Sequence, residues 1–173
     1  SIGGDVGAFV FKIAKAELAG YLASASPEPI EPMLTAFDPA GLQNSIPGFE
    51  GFEAILFDGD RFFVSIEARH GGSMQGFLVQ GRVEEECEKL VIEPETLTKV
   101  PPQADLGNMS DETLIVYGDQ LFSIYEANGA NVNPRPVAHV FDFSLNPLAE
   151  VPMPNVEYRI TDATLPDAEG EFW

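Results

Sequence analysis

With 173 residues, 45% of them hydrophobic, the chain is long enough to bury a substantial core and too apolar to be disordered. Its 28 acidic and nine basic residues leave a formal charge of −19, which repels nucleic acid and anionic membrane surfaces and favours cations, so neither nucleic acid nor membrane is expected as a partner. The single cysteine, Cys87, excludes an internal disulfide framework and a cysteine-rich zinc site. Its Glu-Glu-Glu-Cys-Glu setting disfavours a reactive thiolate, so it is read as incidental.

Residues 7–22 are rich in Ala, Lys and Glu and look helical by propensity alone. Their place relative to the stretches that follow matches 76–93 and 138–151, and the last of these carries Ser144-Leu-Asn-Pro147, a turn at its middle. All three are therefore predicted as strand, turn, strand. No apolar run approaches the roughly 20 residues of a membrane helix. Residues 1–10 lack the charged and apolar regions of a signal peptide, which leaves the compartment open. A proline-rich stretch at 24–49 is predicted to be a long loop.

The stretch that follows occurs twice. Glu53-Ala-Ile-Leu-Phe-Asp-Gly-Asp-Arg-Phe-Phe-Val-Ser-Ile-Glu67-Ala is matched 59 residues later by Glu112-Thr-Leu-Ile-Val-Tyr-Gly-Asp-Gln-Leu-Phe-Ser-Ile-Tyr-Glu126-Ala. In each copy an acid opens an apolar run, Gly-Asp interrupts it, and a second run rich in β-branched and aromatic residues ends in Glu-Ala. That is a β-hairpin, repeated. Shorter connections are predicted at 94–110 and 152–155. A last copy opens at Ile160-Thr-Asp162, with Asp162 in the place of Glu53 and Glu112, and Gly170 in the place of the turn glycine.

Units of four short strands at a period of 50 to 59 residues predict an all-β chain forming part of a β-propeller. The expected parts are an outer half-blade at 7–22, blades at 51–93 and 111–154, and an inner half-blade at 156–173. Three blades' worth of strand does not close a ring, so the expected partners are further blades of the same polypeptide or a second copy of the chain.

Glu53, Glu112 and Asp162 each head an innermost strand, which would set three carboxylates at one level of a central axis. Two readings of that pattern stand: the acids hold a hard cation, Ca²⁺ ahead of Mg²⁺, or they hydrogen-bond the backbone of neighbouring blades. At the far ends of the hairpins, Glu67-Ala-Arg69-His70-Gly-Gly and Glu126-Ala-Asn128-Gly-Ala-Asn131-Val-Asn133 run into polar loops. These make Glu67, Arg69, Glu126, Asn128 and Asn131 candidates for binding a small molecule, and His70 the candidate general base, against the plainer reading that Asn and Gly simply make turns. His139, inside an apolar strand, is read as structural. No nucleophile elbow, zinc-protease helix, P-loop or dinucleotide fingerprint is present.

Gly51-Phe-Glu53-Ala-Ile55 and Ser65-Ile-Glu67 resemble the Gly-Leu-Glu-Gly-Ile opening and the Ser-Glu strand end of six-bladed propellers of the esterase-like phytase group. The likeness extends more distantly to gluconolactonase- and paraoxonase-like calcium hydrolases, and covers about residues 48–173. The resemblance implies a central Ca²⁺ held by Glu53, Glu112 and Asp162, although the asparagine ligands of those families have no counterpart on these inner strands. Two functions follow as expectations. One is a metal-assisted hydrolase of an ester, lactone or phosphoester; the other is a non-catalytic propeller that binds a ligand or partner protein through its loop face.

Overall fold

The computed structural model describes residues 8–84 and 88–173; Cys87 lies outside them, and so do the side chains of Ala8 and His70. In chain order the elements are β1 (Ala8–Lys12), α1 (Lys15–Ala23), β2 (Met33–Asp38), α2 (Leu42–Ser45), β3 (Phe49–Asp58), β4 (Arg61–His70) and β5 (Ser73–Glu84). There follow β6 (Lys89–Lys99), β7 (Asp111–Tyr117), β8 (Gln120–Tyr125), β9 (Val137–Asp142) and β10 (Pro147–Pro152). The chain is all-β in character, with one curled sheet of order β1-β2-β6-β5-β4-β3 and a four-stranded antiparallel sheet of order β10-β9-β8-β7.

Both predicted hairpins form. Asp58 pairs with Arg61 and Tyr117 with Gln120 across two-residue loops. Gly59 and Gly118 take φ of 61° and 63° at the first loop position, which a side chain would resist and which suits the twist of the flanking strands. The β9–β10 turn also falls where predicted. There Asp142 Oδ1 accepts hydrogen bonds from the backbone N–H groups of Ser144 and Asn146, both at 2.9 Å, and Leu145 turns inward with 1% exposure.

Three departures have local causes. Residues 7–22 are not strand, turn, strand: β1 ends at Lys12 and α1 follows, because Lys15-Ala-Glu-Leu-Ala has the composition of a helix and buries nothing that a strand would need to bury. The loop expected at 24–49 holds β2 and α2. β2 buries Thr35 and Phe37 on alternate residues, pairs with β1 antiparallel and lies parallel to β6. The connection expected from residue 94 begins later, at residue 100. Pro94 sits inside β6 at a wide bulge, where Thr96 Oγ1 accepts from the N–H of Gln80 at 2.9 Å and donates to the carbonyl of Glu93 at 2.7 Å.

The core is layered. β4 is buried on both faces, so it reads as a nearly continuous apolar run. Phe62, Val64, Ile66 and Ala68 pack with Phe37, Val79, Leu90 and Ile92 on one face. Phe63 on the other face meets Leu56 and Leu78, then Leu114, Leu121, Phe141 and Leu145 of the second sheet. The far face of the second sheet presents Ile115, Ile124 and Ala138, against which Ile160 and Ala163 of the C-terminal segment lie. That segment makes an isolated bridge, Arg159 to Ala127, and turns at Asp167 to Gly170, where φ is 82°. Between the two sheets Phe63 and Phe141, both almost fully buried, each contribute about 2–3 kcal/mol of apolar burial.

Candidate carboxylate site

The two head acids occupy the same irregularity. On β3, Phe52 pairs with Ile66 and Ile55 with Val64, so Glu53 and Ala54 together oppose Ser65. On β7, Asp111 pairs with Tyr125 and Thr113 with Ile124, which leaves Glu112 as the extra residue. Each acid therefore sits in a β-bulge, a device that re-aims a side chain off the regular alternation. At the first bulge the N–H of Ala54 donates to Ser65 Oγ at 2.9 Å, so a buried hydroxyl satisfies the amide that the ladder leaves unpaired.

Glu67 and Glu126, predicted as binding residues at the exits of the hairpins, are drawn inward. Glu67 shares the β4 face that carries Phe63 toward the second sheet. It pairs with Gly76 of β5, where a Cβ would stand 2.8 Å from Ser110 Oγ and 3.0 Å from Asp111 Oδ2. The second sheet thus closes over Glu67, which is 6% exposed and has Oε1 without a hydrogen-bond partner. Burial first, and then the charges of Glu53, Glu112 and Glu50, push its pKa up to about 7 against a lowering pull from Arg159. Glu53 is raised by burial, Glu112 and Glu50; Glu112 is raised by burial and lowered by Arg159. Asp111, buried and accepting from Ser123 Oγ at 2.9 Å, is also pushed up to about 7, by desolvation.

Glu126 has no exposed surface, and Arg159 answers its charge. The guanidinium Nε of Arg159 donates to Glu126 Oε1, and Nη2 stands 3.6 Å from Glu112 Oε1. One guanidinium therefore spans the second pair of repeated acids, while Glu126 Oε2 stays unpartnered. Sequence reading missed Arg159, although its position was available: it lies three residues before the head acid Asp162.

The other predicted residues are placed differently. Asp162 is exposed and accepts from the N–H of Ala163 at 2.8 Å; it is not among the charges that perturb Glu53, Glu67 or Glu112. Arg69 forms a two-armed pair with Glu50, Nε to Oε1 at 2.6 Å and Nη2 to Oε2 at 3.2 Å. The backbone of His70 pairs with Ser73 at the end of β4, and its side chain lies outside the described residues. Asn128 is buried: its amide donates to the carbonyl of Tyr125, its Oδ1 accepts from Asn133 at 3.4 Å, and its own carbonyl accepts from Asn155 at 3.0 Å. These bonds knit the loop together. Asn131 is exposed and, with Met109, Tyr158 and Arg159, lines a cavity of about 250 Å³. His139 is 4% exposed with Nδ1 unpartnered, and burial holds its pKa below the usual value despite Glu150 3.9 Å away.

Among the described residues, no group of three or more His, Cys, Asp and Glu side chains stands close enough to hold a metal ion. Chemically, the arrangement offers a row of carboxylates with raised proton affinity, one guanidinium already seated in it, and two buried acid oxygens with no partner, Glu67 Oε1 and Glu126 Oε2. No protein-family model, curated protein or solved structure matches the chain.

Proposed function

We propose that the chain forms part of a β-propeller, of the six-bladed kind typified by the esterase-like phytase group, and that its carboxylate row binds a positively charged ligand. The layered sheets and the repeated bulged hairpins support the propeller reading, in which β3 and β7 are inner strands. On that reading the outer faces are covered by further blades of the polypeptide or by a second copy. The observation that carries the binding reading is Glu67: a carboxyl buried to 6% exposure, one oxygen unpaired, facing other acids. Keeping such a group costs stability unless something positive answers it.

Calorimetric titration tests this with calcium chloride, an alkylamine and an alkylguanidine, on the chain and on its Glu53→Gln/Glu67→Gln variant. At least one cation is expected to bind the chain and to lose its heat in the variant. Equal heats in both proteins would sink the proposal.

A second reading is a calcium-assisted hydrolase of an ester, lactone or phosphoester. It is favoured by the pKa of about 7 at Glu67, which suits a general acid or base at neutral pH. Turnover of p-nitrophenyl acetate, p-nitrophenyl phosphate or dihydrocoumarin that needs calcium and disappears in Glu67→Gln supports it. Turnover indifferent to that substitution removes it.

A further inference from the structure

The two acid pairs are built alike and are answered differently. Glu112 and Glu126 have the bulge and the sequence spacing that Glu53 and Glu67 have one repeat earlier, although Glu53 is the more exposed of the two head acids and Glu126 stands one residue past the end of β8. The later pair is spanned by Arg159, which reaches back from the layer that follows. Arg159 precedes its head acid Asp162 by three residues, and the residue three before Glu112, just ahead of the Ser110 and Asp111 that approach Gly76 beside Glu67, is Met109. A thioether donates no hydrogen bond and carries no charge, so the repeat fills one pair and leaves the other open.

The nearby arginines are committed elsewhere. Arg69 is held by Glu50, and Arg61 lies against Asp58 at 3.0 Å and over the Phe143 ring. Among the described residues, no ion pair reaches Glu53 or Glu67. In the open pair Oε1 of Glu67, a carboxyl more than nine-tenths buried, has no hydrogen-bond partner; Glu126 Oε2 is unpartnered as well, so the two pairs differ in the guanidinium that one has and the other lacks.

From this internal precedent we infer that the Glu53 and Glu67 carboxylates form a binding site for a guanidinium group, supplied by a ligand in the place that Arg159 takes on Glu112 and Glu126. A guanidinium suits the pair better than an ammonium or a metal ion. Its planar fork presents several donors to two separated carboxylates and is weakly hydrated, so entering a half-closed seam costs it less. The site rests on the cation-binding reading above and narrows it to one chemistry.

Ethylguanidine, butylamine and calcium chloride, each titrated calorimetrically into the 173-residue chain, test the inference. Ethylguanidine is expected to bind in the millimolar range or tighter, on the order of 4 kcal/mol, and at least tenfold more tightly than butylamine. Glu67→Gln, close in shape and neutral, should weaken it tenfold or more. Met109→Arg supplies the missing guanidinium from the chain itself and should abolish binding while raising the melting temperature, a gain that a misfolded variant would not show. Tighter binding of Nα-acetyl-arginine amide than of ethylguanidine assigns the group to an arginine side chain, and the reverse to a free small guanidine. Binding of calcium but not ethylguanidine overturns the inference and leaves the cation-binding reading intact. Absence of binding by all three probes overturns both. Ethylguanidine binding unchanged in Glu67→Gln, or in a folded Met109→Arg, also overturns the inference.

Discussion

Glu67 and Glu126 hold the same place in the sequence of two successive hairpins, yet Glu126 Oε1 meets the guanidinium of Arg159 while, among the described residues, no ion pair reaches Glu67, and each acid keeps one oxygen unpaired. Repetition of sequence has produced repetition of backbone, and the difference lies in what the next layer brings to each acid. Because Arg159 is 56% exposed at its side chain and Glu126 is fully buried, the pair is half in water, and its worth depends mainly on the acid.

Arg159→Met should therefore destabilise the fold by roughly 2 kcal/mol, less than loss of one member of a wholly buried pair, because water can reach part of the seam. Glu126→Gln added to Arg159→Met should recover most of the loss, since the uncompensated charge goes with it. Urea unfolding midpoints of the two single variants and the double variant measure this. A double variant as unstable as Arg159→Met would mean that the arginine acts through its apolar packing instead.

Gly76 lets the two sheets meet at Glu67, with Ser110 Oγ and Asp111 Oδ2 within 3.0 Å of where a Cβ would stand. Gly76→Ala should cost about 1–3 kcal/mol by forcing the sheets apart, and should open Glu67 to water. Gly20→Ala in α1 meets nothing within 4 Å and should instead stabilise by about 0.4–1 kcal/mol through the unfolded chain. Thermal melts of both variants, expected to shift in opposite directions, check the contrast.

Ser65 holds the first bulge by accepting from the N–H of Ala54, and it is almost completely buried. Ser65→Ala should cost about 1–2 kcal/mol and, by loosening the bulge that aims Glu53, weaken any cation bound there. Ser123→Ala removes the donor to buried Asp111 and leaves the Glu53 bulge untouched, so it should lower stability without changing cation affinity. Affinity lost equally in both variants would argue against a positioning role for Ser65.

Much of this was legible because it is local. The positions of Gly59 and Gly118, the apolar runs on either side of them, and the turn at Ser144-Leu-Asn146 follow from residues a few positions apart. Helix α1 was obscured by the phase of the later repeats, which favoured a strand where the Ala, Lys and Glu content favoured a helix, and with no residue of the helix buried the propensity prevailed. β2 was obscured by the prolines around it, although Thr35 and Phe37 carry the alternation of a half-buried strand. The acids were recognised by their repetition, but their answering charge comes from 33 residues beyond Glu126. No local pattern reveals such a contact; only the offset of Arg159 from Asp162, compared with that of Met109 from Glu112, carries it.

The proton affinity of the seam yields the last prediction. Glu67 and Asp111 titrate near 7 in the folded chain and near 4 when unfolded, so between those values the folded state holds more protons. Stability contributed by these two carboxyls is thus fully present below about pH 4 and is lost as pH rises through about 7. Glu53 and Glu112 are displaced in the same direction. His139, whose pKa burial lowers, opposes the trend below its ordinary value; Asp142, lowered first by its hydrogen bond from the Asn146 side chain, opposes it only in strong acid. Comparing Glu67→Gln with the parent chain cancels those contributions, because they are common to both proteins. The groups facing Glu67 are Glu53, Glu112, Glu50, Arg159, Arg69 and the Tyr125 phenol, and the acids outnumber the cations. Near pH 4.5, where Glu67 is protonated and neutral in the folded chain, the substitution should change the melting temperature little. By pH 8 it should stabilise the chain by roughly 2–3 kcal/mol, since glutamine cannot acquire the buried charge. Melting curves of both proteins at half-unit steps from pH 4.5 to 8 measure the difference directly. A difference that stays flat across the range, or that favours the parent chain at pH 8, would show that the Glu67 carboxylate is already compensated in the folded protein.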